Sequence, residues 1–334
     1  MIWLHIGMPK AGSSSLQAYL ARNAESLRPL GLHYMQTGRM GDGTRRVPLP
    51  SHNTLARQMA RGWADAEDGL FDAYVQEFET NRDTPCLLSA EMFFGQDLAP
   101  LQDKIFSRVD DDITVLLYIR RLSDFLESDY KQKAKNGRAP SKPEVYAANH
   151  LRRMETDPDF YNLSVMAERI EAALPRAKVL PRLFSREDLA GGDMVTDFLT
   201  LFGIDTPPVA PEDTASNRSH SRVAAEALGL FLGKEVGMPK RLHRRLDAAL
   251  QNSTAGDFSG KGDVLLHDEA CDLNEMFEER NAAFRRQHFP DRYRLFAALK
   301  PPTDPTMARG HPSELERHAR AVRELLRLKT EMGL

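Results

Sequence analysis

The sequence predicts an α/β protein built on a mostly parallel sheet. Short apolar runs rich in β-branched and aromatic residues alternate with longer segments whose apolar residues recur at helical spacing. Residues 111–119 (DDITVLLYI) are almost continuously apolar, which is typical of a central strand covered on both faces. Strands that alternate with helices along a chain favour a parallel sheet with helical crossovers.

Four strands are predicted, over residues 1–6, 84–90, 111–119 and 177–184. Pro181 lacks a backbone N–H, so it would fit better at the edge or end of the last strand than inside it. A first helix is expected to begin at Ser13. Residues 30–52 are rich in Gly and Pro and predict a long loop. Further helices are expected over residues 54–81, 125–136, 144–154, 163–174, 193–202, 222–234, 240–251, 269–289 and 314–332.

Composition and charge exclude several classes of protein. The 334 residues include 41% hydrophobic and 28% charged residues, which is ordinary for a globular chain with a large core. The formal net charge of −3 argues against a general nucleic-acid binder. Cys86 and Cys271 are not spaced as metal ligands, so neither structural zinc nor a disulfide framework is expected. The chain lacks an apolar run of ~18 residues and a secretory signal pattern, so we expect a soluble, cytoplasmic protein without an integral membrane segment.

The domain organisation predicted from the sequence is one domain over residues 1–300, followed by a linker and a C-terminal amphipathic helix over residues 301–334. The linker is indicated by three prolines close together. Packing of this helix on its own domain is one expectation, and a homodimer contact is the other. Its apolar side is expected to carry Leu315, Val322, Leu325, Leu326 and Met332.

The first motif that indicates chemistry lies directly after the first strand. Residues 7–15 (GMPKAGSSS), called here the glycine–serine loop, contain two glycines, a single cation at Lys10 and three serines at the expected helix start. Backbone N–H groups at a helix N-terminus point outwards, and the helix dipole favours negative charge there. The pattern therefore predicts a binding site for a phosphate-like anion.

The Walker A pattern of ATPases, G-x-x-x-x-G-K-[ST], is the best-known alternative for such a loop. Gly7 and Gly12 have the required spacing, but Ser13 stands where that pattern has lysine. The only nearby lysine, Lys10, lies upstream of the second glycine. The loop therefore does not encode the adjacent lysine and serine that bind phosphate and magnesium in an ATPase.

A second motif follows the third predicted strand. Arg120 stands at the end of that strand, and Ser128 lies eight residues later in the following helix. A guanidinium and a hydroxyl near a helix start suit a second phosphate. The alternative is a surface ion pair for Arg120 and a solvated helix position for Ser128. Arg121 competes for the role of Arg120, but the eight-residue spacing selects Arg120.

Together the two motifs resemble sulfotransferases that use 3′-phosphoadenosine 5′-phosphosulfate (PAPS). Residues 9–15 (PKAGSSS) are similar to that family's loop for the 5′-phosphosulfate, P-K-[TSA]-G-[TS]-[TS], and the Arg120–Ser128 spacing is similar to its 3′-phosphate pair. Other stretches, including LLSAE and ERNAAFRRQHFP, resemble bacterial, carbohydrate-type members. The resemblance covers about residues 2–296 and implies a P-loop-NTPase-like, three-layer fold with a central sheet flanked by helices.

The resemblance also implies a reaction and its residues. A hydroxyl of a carbohydrate or glycolipid acceptor would attack the sulfur of PAPS in line, without a metal, and displace adenosine 3′,5′-bisphosphate. Lys10 would stabilise the bridging oxygen, and either Glu91, after the second strand, or His52 would accept the proton. The residues implied to bind the co-substrate are Pro9, Lys10, Ala11, Gly12, Ser13, Ser14, Ser15, Arg120 and Ser128.

Two other functions stay open. A P-loop kinase acting on a small molecule would need a lysine at position 13 and a magnesium-binding carboxylate at a strand end. A non-catalytic nucleotide-binding protein would use the same loop without a base. Asn217, Arg218 and Ser219 are further candidates to line a pocket, with an Asx-type turn as the alternative reading.

Overall fold

The computed structural model describes residues 1–39, 50–63, 69–138, 142–205, 207–208, 220–232, 238–253, 258, 260, 263–301, 306 and 308–333. Its five strands form one sheet and are β1 (Ile2–Gly7), β2 (His33–Tyr34), β3 (Cys86–Ser89), β4 (Ile113–Arg120) and β5 (Ala177–Phe184). The helices of these residues are α1 (Ser13–Arg22), α2 (Ala24–Leu27), α3 (Asn53–Ala60), α4 (Leu70–Thr80), α5 (Ala99–Lys104), α6 (Leu122–Lys135), α7 (Pro143–Thr156), α8 (Leu163–Ala173), α9 (Met194–Thr200), α10 (Arg222–Leu230), α11 (Lys240–Gln251), α12 (His267–Arg280), α13 (Ala282–His288) and α14 (Glu314–Glu331).

The sheet is parallel throughout, with the order β2-β3-β1-β4-β5. β1 lies at its centre, and all six residues of β1 are buried, as expected for an apolar strand covered on both faces. Leu4 of β1 pairs with Leu88 of β3 and Val115 of β4. The predicted α/β class with a parallel sheet is confirmed. Pro181 lies inside β5 rather than at its end, which is possible because β5 is an edge strand of the sheet.

The strand order creates a switch in the direction of the connections. From β1 the chain continues to β2, at one edge of the sheet, and from β4 it continues to β5, at the opposite edge. In open parallel sheets, ligands bind outside the carboxyl ends of the strands at such a point. The glycine–serine loop follows β1, so the topology places it at this position.

Backbone contacts divide the chain into two units. The first unit, Met1–Arg120, Asn162–Glu212 and Asn281–Phe296, holds the whole sheet with α1 to α5, α8, α9 and α13. The second unit, Arg121–Tyr161, Asp213–Arg280 and Ala297–Leu334, contains α6, α7, α10, α11, α12 and α14. The single domain expected over residues 1–300 stays a prediction.

Three local predictions are wrong in detail. Residues 30–52 were expected to be loop, but β2 pairs there with β3 over only two residues, which is too short for any periodicity. Residues 54–81 were expected to form one helix, but α3 ends at Ala60, and Gly62 and Trp63 adopt left-handed φ values of 64° and 66°. Residues 269–289 form two helices, because α12 ends before Asn281.

The C-terminal helix α14 packs on helices of its own unit. Ala321, Leu325 and Leu328 are buried in a cluster with Leu228 of α10 and Leu246 of α11. Its apolar side is narrower than predicted, because Leu315 and Leu326 are 80% and 50% exposed. A homodimer through this helix stays a prediction.

No helix within the described ranges is both long enough and apolar enough to cross a membrane.

A buried carboxylate joins α9 to two strands. Asp197 is fully buried and accepts hydrogen bonds from the Tyr118 hydroxyl at 2.7 Å and from the Ala190 N–H at 3.0 Å. Arg182 forms an ion pair with the same carboxylate. Buried charges persist only when they are paired and hydrogen-bonded, so this group fixes α9 against β4 and β5.

We therefore expect Asp197→Ala to lower the free energy of unfolding by about 3 kcal/mol, because the change leaves the Arg182 guanidinium and the Tyr118 hydroxyl without their partner. Urea denaturation measures the effect. Asp72→Ala is the control, since its pair with Arg108 is 73% and 42% exposed, and it should cost less than about 1 kcal/mol. Equal losses in the two variants would contradict this role of Asp197.

Candidate functional site

The carboxyl ends of the parallel strands bring most of the predicted site residues to one edge of the sheet. The glycine–serine loop follows β1, Glu91 follows β3 and Arg120 ends β4. The β1–β4 ladder continues one residue into the loop, where the Met8 N–H donates to the Tyr118 carbonyl at 3.1 Å. The start of the loop is therefore anchored on the sheet.

Both glycines of the loop are required by close packing. A Cβ at Gly7 would stand 2.5 Å from the Ser13 Oγ, so only glycine lets the helix start approach the strand. Gly12 has a φ of 77°, and a Cβ there would stand 2.9 Å from the Phe184 ring. The G-x-x-x-x-G spacing thus follows from how α1 sits against β1 and β5.

The loop backbone is strained at Lys10, and a hydrogen bond from Arg120 stabilises it there. Lys10 has a φ of 70°, a left-handed conformation that a residue with a side chain rarely adopts. Arg120 donates a hydrogen bond from its guanidinium to the carbonyl oxygen of Lys10, and it lies over the Phe184 ring at 5.7 Å. Strain of this kind at a loop tip is typical of functional sites, because the surrounding contacts must maintain it.

The start of α1 presents hydrogen-bond donors. The Ala11 N–H donates to Met8 O and the Ser15 N–H to Gly12 O, both at 3.1 Å, which leaves the amides of Gly12, Ser13 and Ser14 as the available donors of the loop within the described chain. Gly12 caps the helix without any side-chain hydrogen bond.

The serines of the loop differ in exposure. Ser14 is exposed and Ser15 half-buried, whereas Ser13 is 2% exposed and its Oγ has no hydrogen-bond partner among the described residues. A buried hydroxyl without a partner is uncommon and indicates that a ligand or water supplies one.

A second set of buried polar groups lies under the loop. His5 of β1 is fully buried, and its Nδ1 lies 2.8 Å from the Oγ of Ser89 at the end of β3. Gln17 of α1 donates from Nε2 to the same Oγ at 3.0 Å. His5 Nε2 has no hydrogen-bond partner in the part of the chain that the structure describes.

Glu91 has the electrostatic setting of a proton acceptor. It begins a short 3₁₀ helix (Glu91–Phe93) directly after β3 and is partly buried. Burial raises the pKa of the Glu91 carboxyl above its usual range, while the positive charge of Lys10 lowers it in part. The structure therefore brings Glu91 within electrostatic reach of Lys10. A carboxylate with a raised pKa is a better base near neutral pH than an ordinary one.

His52 is held by the backbone on both of its ring nitrogens. The Ser89 N–H donates to Nδ1 at 3.1 Å, and Nε2 lies 3.2 Å from the Met35 carbonyl oxygen that it can donate to. The ring is fully buried, and burial lowers the pKa of His52 to about 4. Hydrogen bonds on both nitrogens favour a role in fixing the chain after residue 50 over a role as the base.

The predicted pair of Arg120 and Ser128 is divided between the two units. Arg120 ends the first unit, while Ser128 lies half-buried on α6 of the second unit. Within that second unit, Arg121 donates to the Ala297 carbonyl at 2.9 Å and lies 3.6 Å from Asp124. The 3′-phosphate roles of Arg120 and Ser128 stay predictions. The candidates Asn217, Arg218 and Ser219 lie outside the described residues.

A cavity of about 1100 Å³ lies elsewhere, among residues of the second unit, and none of the predicted site residues lines it. Several of its charged side chains pair with one another: Glu226 lies 3.1 Å from Arg222 and 2.7 Å from His318, and it accepts a hydrogen bond from Tyr130 at 2.8 Å. Because the predicted site residues gather at the carboxyl ends of the strands instead, we place the candidate site at the glycine–serine loop.

Comparisons of the chain with family models, with curated proteins and with solved structures found no match.

One test of this site needs no ligand. Because the charge of Lys10 lowers the pKa of Glu91, Lys10→Met should raise that pKa further. A carbon-13 NMR titration of the side-chain carboxyls measures it, with Glu91→Gln used to assign the signal. Lys104→Met, which removes an exposed lysine on α5, should leave the pKa of Glu91 unchanged. An unchanged pKa in Lys10→Met would show that the two charges are not coupled.

The buried histidines should also make stability depend on pH. Burial lowers the pKa of His52 to about 4, so below the ordinary value of about 6.5 the unfolded chain binds a proton that the folded chain does not. The free energy of unfolding should therefore fall as the pH drops from 6.5 to 4, with His52 contributing on the order of 3 kcal/mol. Urea denaturation across this range should show a shallower fall for His52→Gln. The same slope in both proteins would refute a neutral, buried His52.

Proposed function

We propose that this protein is a PAPS-dependent sulfotransferase that transfers the sulfuryl group to a hydroxyl of a carbohydrate or glycolipid. The observation that carries the proposal is the glycine–serine loop, where the buried Ser13 hydroxyl and the amides of Gly12 to Ser14 stand without acceptors in the described chain beside a strained, cationic Lys10. These groups fit a phosphate-like anion, since several N–H groups stand at one helix start and a positively charged residue lies in the same loop.

The same loop argues against the kinase alternative. A phosphoryl-transfer loop of the Walker type needs a lysine next to the serine that binds magnesium. Position 13 is Ser, its side chain is buried against Gly7, and a lysine there would not fit that space. The cation of this loop is Lys10, two residues before the second glycine.

The residues support an in-line displacement. The acceptor hydroxyl oxygen forms a bond to sulfur while the bond between sulfur and the bridging oxygen of the 5′-phosphate breaks, and the acceptor's proton passes to Glu91. Negative charge grows on the bridging oxygen, where Lys10 and the helix N-terminus would stabilise it. Adenosine 3′,5′-bisphosphate leaves with that charge.

Lys10 and Glu91 would act as a coupled pair. Lys10 lowers the raised pKa of Glu91, which keeps more of the carboxyl ionised and ready to accept a proton at neutral pH. His52 has hydrogen bonds on both nitrogens, so Glu91 is the base that we favour.

Arg120 would serve two purposes. Its hydrogen bond to the Lys10 carbonyl holds the strained loop, and a guanidinium is a side chain well suited to binding a phosphate. The 3′-phosphate roles of Arg120 and Ser128 in this proposal rest on the sequence resemblance alone. The carbohydrate or glycolipid class of the acceptor rests on the sequence resemblance alone.

Nucleotide binding tests the proposal. Calorimetric titration with adenosine 3′,5′-bisphosphate should give a clear affinity for the unchanged protein and a weaker one, by about tenfold or more, for Arg120→Ala and for Ser128→Ala, because each loses a charge-assisted hydrogen bond. Arg108→Ala, which removes a partly exposed arginine of the first unit, is the control and should bind normally. Equal binding by all variants, or binding by none, would contradict the assignment.

Lys10→Ala separates binding from chemistry. We expect transfer from ³⁵S-labelled PAPS to an acceptor in a cell extract to be lost, because the variant cannot stabilise the bridging oxygen, while much of the bisphosphate binding remains. Identification of the labelled product in the unchanged protein's reaction would name the acceptor. Turnover retained in Lys10→Ala would exclude the proposed role of this lysine.

A further inference from the structure

A line of three buried polar side chains under the glycine–serine loop has no role in the reaction described above. Gln17 donates to Ser89 Oγ at 3.0 Å, and Ser89 Oγ lies 2.8 Å from His5 Nδ1. Each of the three side chains is less than 4% exposed, so none exchanges its hydrogen bond with bulk water. They connect the first helix, the end of β3 and the central strand β1.

The hydrogen bonds that Ser89 Oγ accepts and donates determine which ring nitrogen of His5 carries the proton. The Ser89 hydroxyl accepts from Gln17 and has one proton to donate. If His5 Nδ1 accepts that proton, both hydrogen bonds are made. If Nδ1 carried a proton instead, the Ser89 proton would have no acceptor in the described chain, which is costly in a buried place. His5 is neutral near pH 7, because burial lowers its pKa to about 4, so its one ring proton lies on Nε2.

The protonated Nε2 lies beside Ser13. A Cβ built on Gly7 would stand 3.3 Å from His5 Nε2 and 2.5 Å from Ser13 Oγ, so the two atoms share the space that Gly7 leaves open. Both atoms are buried and lack a hydrogen-bond partner within the described residues. They therefore make no hydrogen bond to each other in this structure, although one is a donor and the other can accept after a turn of the Ser13 side chain.

We propose that His5 is a positioning residue for the bound anion: when the anion binds, the Ser13 side chain turns, its Oγ accepts from His5 Nε2–H, and the Ser13 hydroxyl directs its own proton to a phosphate oxygen of the ligand. The inference rests on the proposed anion site at the glycine–serine loop. In the bound protein the line from Gln17 through Ser89 and His5 would end in Ser13, and it would hold the Ser13 hydroxyl as an oriented donor.

Two substitutions distinguish this role from simple packing. His5→Gln keeps an N–H donor close to the place of Nε2, whereas His5→Asn keeps a polar group near Nδ1 and has no atom at Nε2. We expect His5→Asn to weaken the binding of adenosine 3′,5′-bisphosphate about tenfold and His5→Gln to restore most of it. His33→Gln, a change at a buried histidine of β2 that bonds Glu77, is the matched control and should bind as the unchanged protein does.

The decisive arm is a double-mutant cycle measured by calorimetry. If His5 acts through Ser13, His5→Asn should have no further effect on bisphosphate binding in a Ser13→Ala background. Weakening by His5→Asn that is the same in both backgrounds would overturn the proposal, since it would show a general loss of packing. Thermal unfolding of each variant verifies that it is folded at the temperature of the titration.

A measurement without ligand separates failure of this inference from failure of the proposed function. Nitrogen-15 NMR of labelled histidines, assigned with His5→Gln, should show His5 with its proton on Nε2, and Ser89→Ala should change that tautomer balance. A proton on Nδ1 would overturn the positioning role whatever the protein binds. An Nε2 proton with no bisphosphate binding in the unchanged protein would instead refute the anion site, and with it the use of this hydrogen-bond line.

Discussion

The parallel pairing of β1 with both β3 and β4 is the constraint on which the candidate site depends. Because the strands run in one direction, the glycine–serine loop, Glu91 and Arg120 follow strand ends that meet at a single edge. The central place of β1 is possible because its six residues are buried and apolar enough to be covered on both faces. Burial of β1 therefore determines where the glycine–serine loop lies, at the carboxyl ends of the strands beside Glu91 and Arg120.

The candidate site also depends on the close packing of α1 against β1, because this packing positions the start of α1 and its N–H groups. Gly7 leaves space for Ser13, and Gly12 turns the chain into the helix against the Phe184 ring. Arg120 holds the strained Lys10 by its carbonyl, so a side chain predicted to bind ligand also maintains the loop that binds it. Substitution at Arg120 would then disturb both the loop and the ligand, which is why the role of Ser128 needs a test of its own.

Much of the fold and the first parts of the site were predictable from local patterns. The parallel α/β class and the loop after β1 follow from apolar runs and glycine spacing. The left-handed Lys10, the contact between Arg120 and the Lys10 carbonyl, and the line from Gln17 through Ser89 to His5 were not predicted. These features join residues 72 to 110 positions apart or depend on backbone strain, and neither leaves a periodic signal in the sequence.

A crystal structure of the protein with adenosine 3′,5′-bisphosphate tests the location of the anion site most directly. We expect the 5′-phosphate within hydrogen-bond distance of the amides of Gly12, Ser13 and Ser14, with the Ser13 hydroxyl donating to it. Density for the nucleotide in the cavity of the second unit, lined by Arg222 and His318, would contradict the central claim that the end of β1 is where this protein binds its anionic ligand.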